Sequence, residues 1–187
     1  MSDPYQSRLA TRDDIEALTR LMNAAIAAHL PNFLSPAQVE ASYEIMGLDR
    51  QLIDDGTYFV ILDGDEIVAS GGWSFRATLF GGDHTSGRSP RRLDPASEAA
   101  RVRAMYVDPR HARRGLGRRI LDLCEAAARQ AGFSRVELCA TMSGKPLYEA
   151  CGYTLTRAFM ETTSKGVDVP LATMGKGLIP SPRRGED

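Results

Sequence analysis

The stretch RVRAMYVDPRHARRGLG, residues 101–117, constrains the fold more than any other part of the chain. It reads as a β-strand that runs through a basic turn into the start of a helix. A helix start offers backbone N–H groups without an intrahelical partner, together with the positive end of the helix dipole. Gly115 and Gly117 leave no side chain there to block an anion. The dipole alone is worth a few tenths to about 2 kcal/mol, whereas each charge-assisted hydrogen bond from a backbone N–H contributes roughly 1.5 to 3 kcal/mol. Several such bonds would dominate, with Arg110, Arg113, Arg114, Arg118 and Arg119 adding salt-sensitive steering. The competing reading is a solvated arginine cluster opening a surface helix. Basic residues are mildly unfavourable in a first turn, so their density favours the anion, and a diphosphate-bearing ligand is expected.

Spacing narrows the ligand. A dinucleotide fingerprint needs a third glycine, but Arg118, Arg119 and Ile120 follow Gly117. A nucleotide P-loop fails as well, because Gly144-Lys145 has Cys139 upstream and Pro146 downstream. With 187 residues, 43% of them hydrophobic, one domain can bury a full core. The net charge of −1 argues against a nucleic-acid binder. No apolar run is long enough to span a bilayer and Met1-Ser2-Asp3-Pro4 does not open a signal peptide, so a cytoplasmic protein without a membrane partner is expected. Cys124, Cys139 and Cys151 are odd in number and sit in apolar stretches, as reduced core thiols do. His29, His84 and His111 form no familiar metal spacing with them, and no metal is expected.

Local patterns place the elements. Ser35-Pro36 gives an N-cap and an N1 proline for a helix running to about Met46. Residues 57–62 and 67–75 flank Asp63-Gly64-Asp65-Glu66 as a hairpin. Leu116, Ile120, Leu123, Cys124 and Ala127 recur at helical spacing, and Gly132 is the natural stop. Residues 153–162 and 169–176 form a closing hairpin around Ser164-Lys165-Gly166, with a frayed tail over 178–187. Residues 76–96, rich in Gly, Asp, Ser, Pro and Arg, are longer than an ordinary hairpin connection, and form either a lid or a floppy insertion. Trp73 and Phe75 alternate on the strand before it, with core packing favoured over lining an acceptor pocket.

Two motifs carry a resemblance. Val107-Asp108-Pro109 followed by Ala112-Arg113-Arg114-Gly115-Leu116-Gly117, and then Val136-Glu137-Leu138 followed by Pro146-Leu147-Tyr148-Glu149-Ala150-Cys151-Gly152-Tyr153, resemble the GNAT superfamily of acyl-CoA N-acyltransferases. Its signature is Arg/Gln-x-x-Gly-x-Gly/Ala; here Ala112 replaces the first residue, which removes one side chain and no backbone donor. Arg8-Leu9-Ala10-Thr11, with Thr11 as N-cap and Asp13 and Asp14 in the first turn, looks like the family's first strand entering its first helix, which should end near His29.

The resemblance implies an α/β fold: a mixed, mostly antiparallel twisted sheet with a splayed fourth/fifth strand pair and helices on both faces, spanning residues 1–177. It implies acetyl-CoA as co-substrate, with the diphosphate at Ala112, Arg113, Arg114, Gly115, Leu116, Gly117 and Arg118 and the pantetheine arm along Met105, Tyr106 and Val107. A backbone N–H near Met105 or Tyr106 would meet the oxyanion, a contribution of roughly 3 to 4 kcal/mol. Thr141 stands where the family often has an asparagine, leaving a backbone contact to the cofactor. Tyr148 matches the tyrosine that protonates the departing thiolate: a phenol near pKa ~10 stays protonated while a thiolate near ~8.5 accepts. Against this stands a helix aromatic that only packs.

A base is harder to find. Deprotonating an alkylammonium near pKa ~10.4 at pH 7 costs about 4 to 5 kcal/mol. The family often places a glutamate where this chain has Arg101, and Glu98, Asp83 and His84 are weak substitutes. The resulting expectation is an acetyl-CoA-dependent N-acetyltransferase that acts on a primary amine of a small molecule or peptide in a ternary complex. The alternatives are a non-catalytic CoA-binding sensor or interaction module on the same fold and, more remotely, another phosphate-ligand protein. The acceptor, and the choice between monomer and homodimer, stay open.

Overall fold

The β-rich runs assemble into one seven-stranded sheet, seen in a computed structural model that describes residues 4–178. The strands are β1 (Tyr5–Leu9), β2 (Tyr58–Asp63), β3 (Glu66–Ser74), β4 (Ala100–Val107), β5 (Arg135–Thr141), β6 (Thr154–Thr162) and β7 (Asp168–Gly177). The helices are α1 (Ile15–His29), α2 (Pro36–Ile45), α3 (Arg50–Asp54), α4 (Leu116–Gln130) and α5 (Lys145–Ala150). The order across the sheet is β1-β2-β3-β4-β5-β7-β6. Every neighbouring pair is antiparallel except β4 and β5, which are parallel.

Local chemistry explains most of the boundaries. Ser35 Oγ accepts from the Gln38 N–H at 3.2 Å and the Gln38 side chain accepts from the Ser35 N–H at 3.0 Å, a reciprocal cap that starts α2. Thr11 caps a one-turn 3-10 helix, Arg12–Asp14, ahead of α1 rather than α1 itself. The Asp14 carboxylate takes the Thr11 N–H at 2.7 Å and a two-pronged contact from Arg8 at 2.7 and 2.9 Å. The five-residue α3 has no apolar period and was not visible in the pattern; the Asp49 side chain caps it through the Gln51 N–H at 3.1 Å.

Helices cover both faces of the sheet. Leu18, Leu21 and Ile26 of α1 pack with Leu52 and Val60 on one side. Ile120, Leu121 and Cys124 of α4 pack with Val68, Val102, Val136 and Leu138 on the other. The buried stripe of α4 is Leu116, Ile120, Leu121, Cys124 and Ala128, so Leu123 and Ala127 flank the stripe instead of forming its centre. Trp73 stands edge-on to Phe75 and Phe133 at 5.9 and 6.2 Å in the α4-side core. The three cysteines are free thiols, with Cys124 buried and the other two half-buried.

Two departures from regular pairing shape the centre of the sheet. The β3–β4 register jumps from Ser70↔Tyr106 to Gly72↔Arg103, so Ala104 and Met105 oppose Gly71 in a bulge. Ala104 has φ +53°, a left-handed conformation that costs a residue with a Cβ roughly 1 to 2 kcal/mol. The buried Tyr58 hydroxyl holds it there by donating to the Ala104 carbonyl at 3.1 Å. Beyond the bulge the strands separate: β4 pairs with β5 only over Ala100–Val102 and Val136–Leu138, while β5 continues along β7 to Thr141. The edge of β4 from Arg103 onward is thus unpaired towards β5.

The long segment 76–96 is tied down rather than floppy. The Ala77 N–H donates to Arg91 O at 2.9 Å, Leu93 N–H to Phe75 O at 2.8 Å, and Arg76 grips Asp55 at 2.7 and 2.8 Å. Its tip lies against the end of α2, where His84 Nε2 sits 2.9 and 3.1 Å from the Tyr43 and Glu44 carbonyls. Gly82 meets Gly47 so closely that a Cβ on Gly82 would lie 2.6 Å from the Gly47 Cα. At the C-terminal end Leu178, expected to fray, is buried and donates its N–H to Ser134 O at 2.7 Å. The rest of the expected tail, 179–187, lies outside the described residues.

Candidate functional site

The turn between β4 and α4 is built to expose backbone. Asp108 accepts from the Arg110 N–H at 2.8 Å and starts a 3-10 turn, Pro109–His111. Ala112 donates its N–H to Pro109 O at 3.3 Å, so the available donors begin after it. Arg113 and Gly115 take left-handed φ angles of +64° and +79°. Gly115 is the N-cap of α4 and has nothing within 4 Å of where a Cβ would be. The first bond of α4 is Arg119 N–H to Gly115 O at 3.0 Å, which leaves the N–H groups of Leu116, Gly117 and Arg118 ahead of the ladder. At Gly117 a Cβ would meet Leu147 Cδ2 at 2.6 Å, so this glycine also sets the close approach of α4 and α5.

The arginines divide into two groups. Arg110 is engaged by Asp108 at 2.7 Å and by Glu66, and this contact holds the Asp108 carboxyl below its ordinary value. Two carboxylates cancel the steering charge expected of Arg110. Arg113, Arg114 and Arg118 are exposed around the turn; Arg114 donates to the Tyr5 hydroxyl at 3.1 Å and Arg118 to Ala150 O at 3.3 Å.

At the other side of the strand separation lies a cavity open to solvent. The bulge residues Ala104 and Met105, with Tyr106, form one wall, and Cys139, Thr141 and Tyr148 form the facing wall. The Met105 side chain points away, towards Gly71 and α4, so the residue offers the cavity its backbone. The Tyr106 hydroxyl accepts from the Gly47 N–H, and burial raises its pKa. Val107 leaves the strand with its carbonyl 3.3 Å from His29 Nε2. Thr141 Oγ1 is 3.1 Å from Ser143 Oγ and accepts from the Gly144 N–H at 3.3 Å; its hydroxyl is thereby committed to the local turn.

Tyr148 is buried, with its ring 5.9 Å from that of Tyr153 and leaning on Gly144, where a Cβ would sit 3.0 Å from Cε2. Among the described residues its hydroxyl has no hydrogen-bond partner. Burial pushes its pKa up, so the phenol holds its proton at neutral pH. The same desolvation raises Cys139, on the cavity wall, to about 12 and keeps it a thiol.

None of the sequence-derived base candidates reaches the cavity. Glu98 is bound to Arg91 at 2.7 Å on the surface, which holds its carboxyl down to about 2. Asp83 accepts the Arg50 N–H at 3.0 Å, and His84 faces the end of α2. Arg101 pairs with Glu137 on β5. Among the described residues the cavity wall holds neither carboxylate nor histidine. Its one formal charge is Arg103, whose guanidinium binds Asp49 and the Gly81 carbonyl. Burial pulls Arg103 below the ordinary guanidinium value while Asp49 opposes the shift.

Motif reading missed this pair, and it also missed the wall contributed by Ile45–Gly47 and Leu79–Gly81. The available signal was the presence of two basic residues, Arg101 and Arg103, inside a largely apolar central strand, each of which must find a counter-charge. No described group of His, Cys, Asp and Glu could hold a metal ion.

Comparison with known proteins agrees with this geometry. A family model described as the acetyltransferase (GNAT) family matches residues 19–153, well over half of the chain. Among solved structures, a GCN5-related N-acetyltransferase from Rhodopseudomonas palustris aligns at 18% identity and TM-score 0.69, over 95% of this chain and 98% of its own. The yncA protein of Salmonella typhimurium, solved with acetyl-CoA, aligns at 20% identity and TM-score 0.62, over 99% and 100%. The paia N-acetyltransferase of Thermoplasma acidophilum, solved with coenzyme A, aligns at 13% identity and TM-score 0.61, over 95% and 99%. None of the curated proteins compared with the chain matches it. The sheet with its single parallel, splayed pair, the glycine-opened turn and the family match together make this chain a member of the acetyltransferase (GNAT) family.

Proposed function

We propose that the protein transfers an acetyl group from acetyl-CoA to a primary amine of a small molecule or peptide, both substrates being bound together. The observation that carries this reading is the end of β4–β5 pairing at Val102, which leaves the edge of β4 free between the open turn and the cavity. The diphosphate lies on the N–H groups of residues 113–118, and the pantetheine arm runs along the unpaired edge at Met105 to Val107 as an added strand. The thioester then reaches the cavity beside the Tyr148 hydroxyl.

Attack by the amine nitrogen forms the C–N bond, and a bulge N–H near Met105 or Tyr106 receives the negative oxygen. The C–S bond breaks as the tetrahedral intermediate collapses. The leaving thiolate takes the phenolic proton of Tyr148, and the proton released by the amine returns through solvent. Among the described residues the wall supplies no carboxylate or histidine base, so the acceptor reacts from its neutral fraction or through water. That feature also favours the second reading, a CoA-binding module without turnover.

The deciding experiment measures melting temperature with acetyl-CoA and CoA release across an amine panel. A raised melting temperature with amine-dependent CoA release is the expected result. Stabilisation without release for any amine would leave the binding module. Stabilisation by nucleotides but not by acetyl-CoA would overturn both.

A further inference from the structure

The cavity is apolar around Ile45, Met46, Leu79, Phe80 and Leu171, and charged at one point, Arg103. The Arg103 side chain is 4% exposed and its partner Asp49 is fully buried. Asp49 is not part of the cavity wall; it lies behind Arg103 and also accepts from Arg88 at 2.7 Å. Arg88 reaches Asp83 at 3.5 Å, and Asp83 pairs with Arg50 at 3.7 Å. Three arginines therefore share two aspartates, and of these five residues Arg103 alone lines the cavity. The Nε of this guanidinium is buried with no hydrogen-bond partner among the described residues. Buried donors are normally satisfied, and an unpartnered guanidinium N–H on a residue that lines the cavity calls for an anionic ligand group.

We infer that the acceptor carries a carboxylate beside its amine, held by Arg103, with an apolar side chain against the remaining wall: a free amino acid of the leucine, methionine or phenylalanine type. This rests on the acetyl-transfer reading above and names its substrate class. The terminal nitrogens of this guanidinium are taken by Asp49 and the Gly81 carbonyl, which leaves its Nε–H as the charge-assisted donor to one oxygen of a carboxylate. The same charge bears on the missing base. In a free zwitterion the carboxylate holds the proton on the neighbouring ammonium; pairing that carboxylate with a cation removes the effect, and a nearby positive charge disfavours the protonated amine. Recognition and deprotonation of the nucleophile thus draw on one residue.

The test compares matched pairs in the full-length protein with acetyl-CoA: leucine against 3-methylbutylamine, methionine against 3-(methylthio)propylamine, and phenylalanine against 2-phenylethylamine. The amino acid of at least one pair should show a kcat/KM 10- to 100-fold above that of its amine, mainly through KM. The double variant Arg103→Met/Asp49→Asn, which removes both charges together, should reduce that preference below threefold. If it does not fold, the wild-type pairs decide alone. Amines that react as well as the acids, a preference that survives in the folded double variant, or turnover of no pair by a protein that acetyl-CoA stabilises would each overturn the carboxylate assignment and leave cofactor binding standing. No stabilisation by acetyl-CoA would overturn both.

Discussion

The turn after β4 and the cavity beside β4 lie on one strand but are made of different materials. The turn is backbone: two left-handed residues, Arg113 and the cap Gly115, and the first N–H groups of α4, all within residues 113–118. The cavity is side chain and long range: Arg103 meets Asp49 across 54 positions, Asp49 meets Arg88 across 39, and Leu79–Gly81 close over it from the loop. A site of backbone donors survives changes in the side chains around it. A site of buried charges depends on every member being present, because removing one leaves another unpaired in a low dielectric. The first arrangement suits a cofactor shared by many enzymes, the second an acceptor particular to one.

The largest expected difference between the two regions is in stability. Asp49→Ala leaves Arg103 buried without its counter-ion and should cost about 3 to 5 kcal/mol in urea unfolding, whereas Arg118→Ala, on the exposed side of the turn, should stay within about 0.5 kcal/mol. Equal losses would erase the contrast. In catalysis, Tyr148→Phe should lower kcat by about 100-fold while acetyl-CoA affinity stays within about twofold, since the hydroxyl acts on the leaving group. An unchanged kcat would reduce Tyr148 to a packing residue.

Replacing all of residues 76–96 would strip Thr78 and Leu93 from the buried interior, so a point change in this loop is the cleaner probe. Phe80→Ala should raise the acceptor KM by about 3- to 10-fold and leave acetyl-CoA binding unchanged. The reverse pattern would move the loop to the cofactor side.

The smallest expected effect is the dependence of stability on pH, which comes from groups throughout the fold. Arg8 and Arg76 hold Asp14 and Asp55 below the carboxylate value of 3.8, so the unfolded chain binds more protons in that range. Their contribution is complete above pH 3.8 and is lost as pH falls through the folded values. Burial raises Cys124 above 9.0, so the folded state holds the extra proton there and stability declines as pH rises past 9. Unfolding free energy should therefore fall as pH drops below about 3.8 and again as it rises past about 9; the opposite slope at either end would contradict these assignments.

The same contrast explains what the sequence made legible. The strand-turn-helix at 101–117, the Ser35-Pro36 cap and both hairpins are local, and short-range chemistry dictates them. The family likeness implied a splayed strand pair with the pantetheine arm at Met105 to Val107, whereas the bulge itself falls at Ala104 and Met105, held by a remote contact, the Tyr58 hydroxyl on another strand. The Asp49–Arg103 pair and the pinned loop depend on contacts formed only once the sheet exists, so no periodicity or motif announces them. The base candidates failed for the same reason. Glu98, Asp83 and His84 are near the site in sequence, yet Glu98 is bound to Arg91 on the surface, and Asp83 and His84 to Arg50 and the end of α2, remote in sequence.

The central claim is that backbone donors of the turn hold the diphosphate of acetyl-CoA, and calorimetric titration of acetyl-CoA into wild type and Gly117→Asp tests it most directly. An acidic residue in the first turn of α4 favours the helix itself, and the added side chain presses only on the flexible end of Leu147, so the variant should fold. It also sets a negative charge and added bulk against the diphosphate. The account predicts a loss of affinity of about 100-fold or more with unliganded melting within a few degrees of wild type. Equal affinity in a folded variant would contradict it.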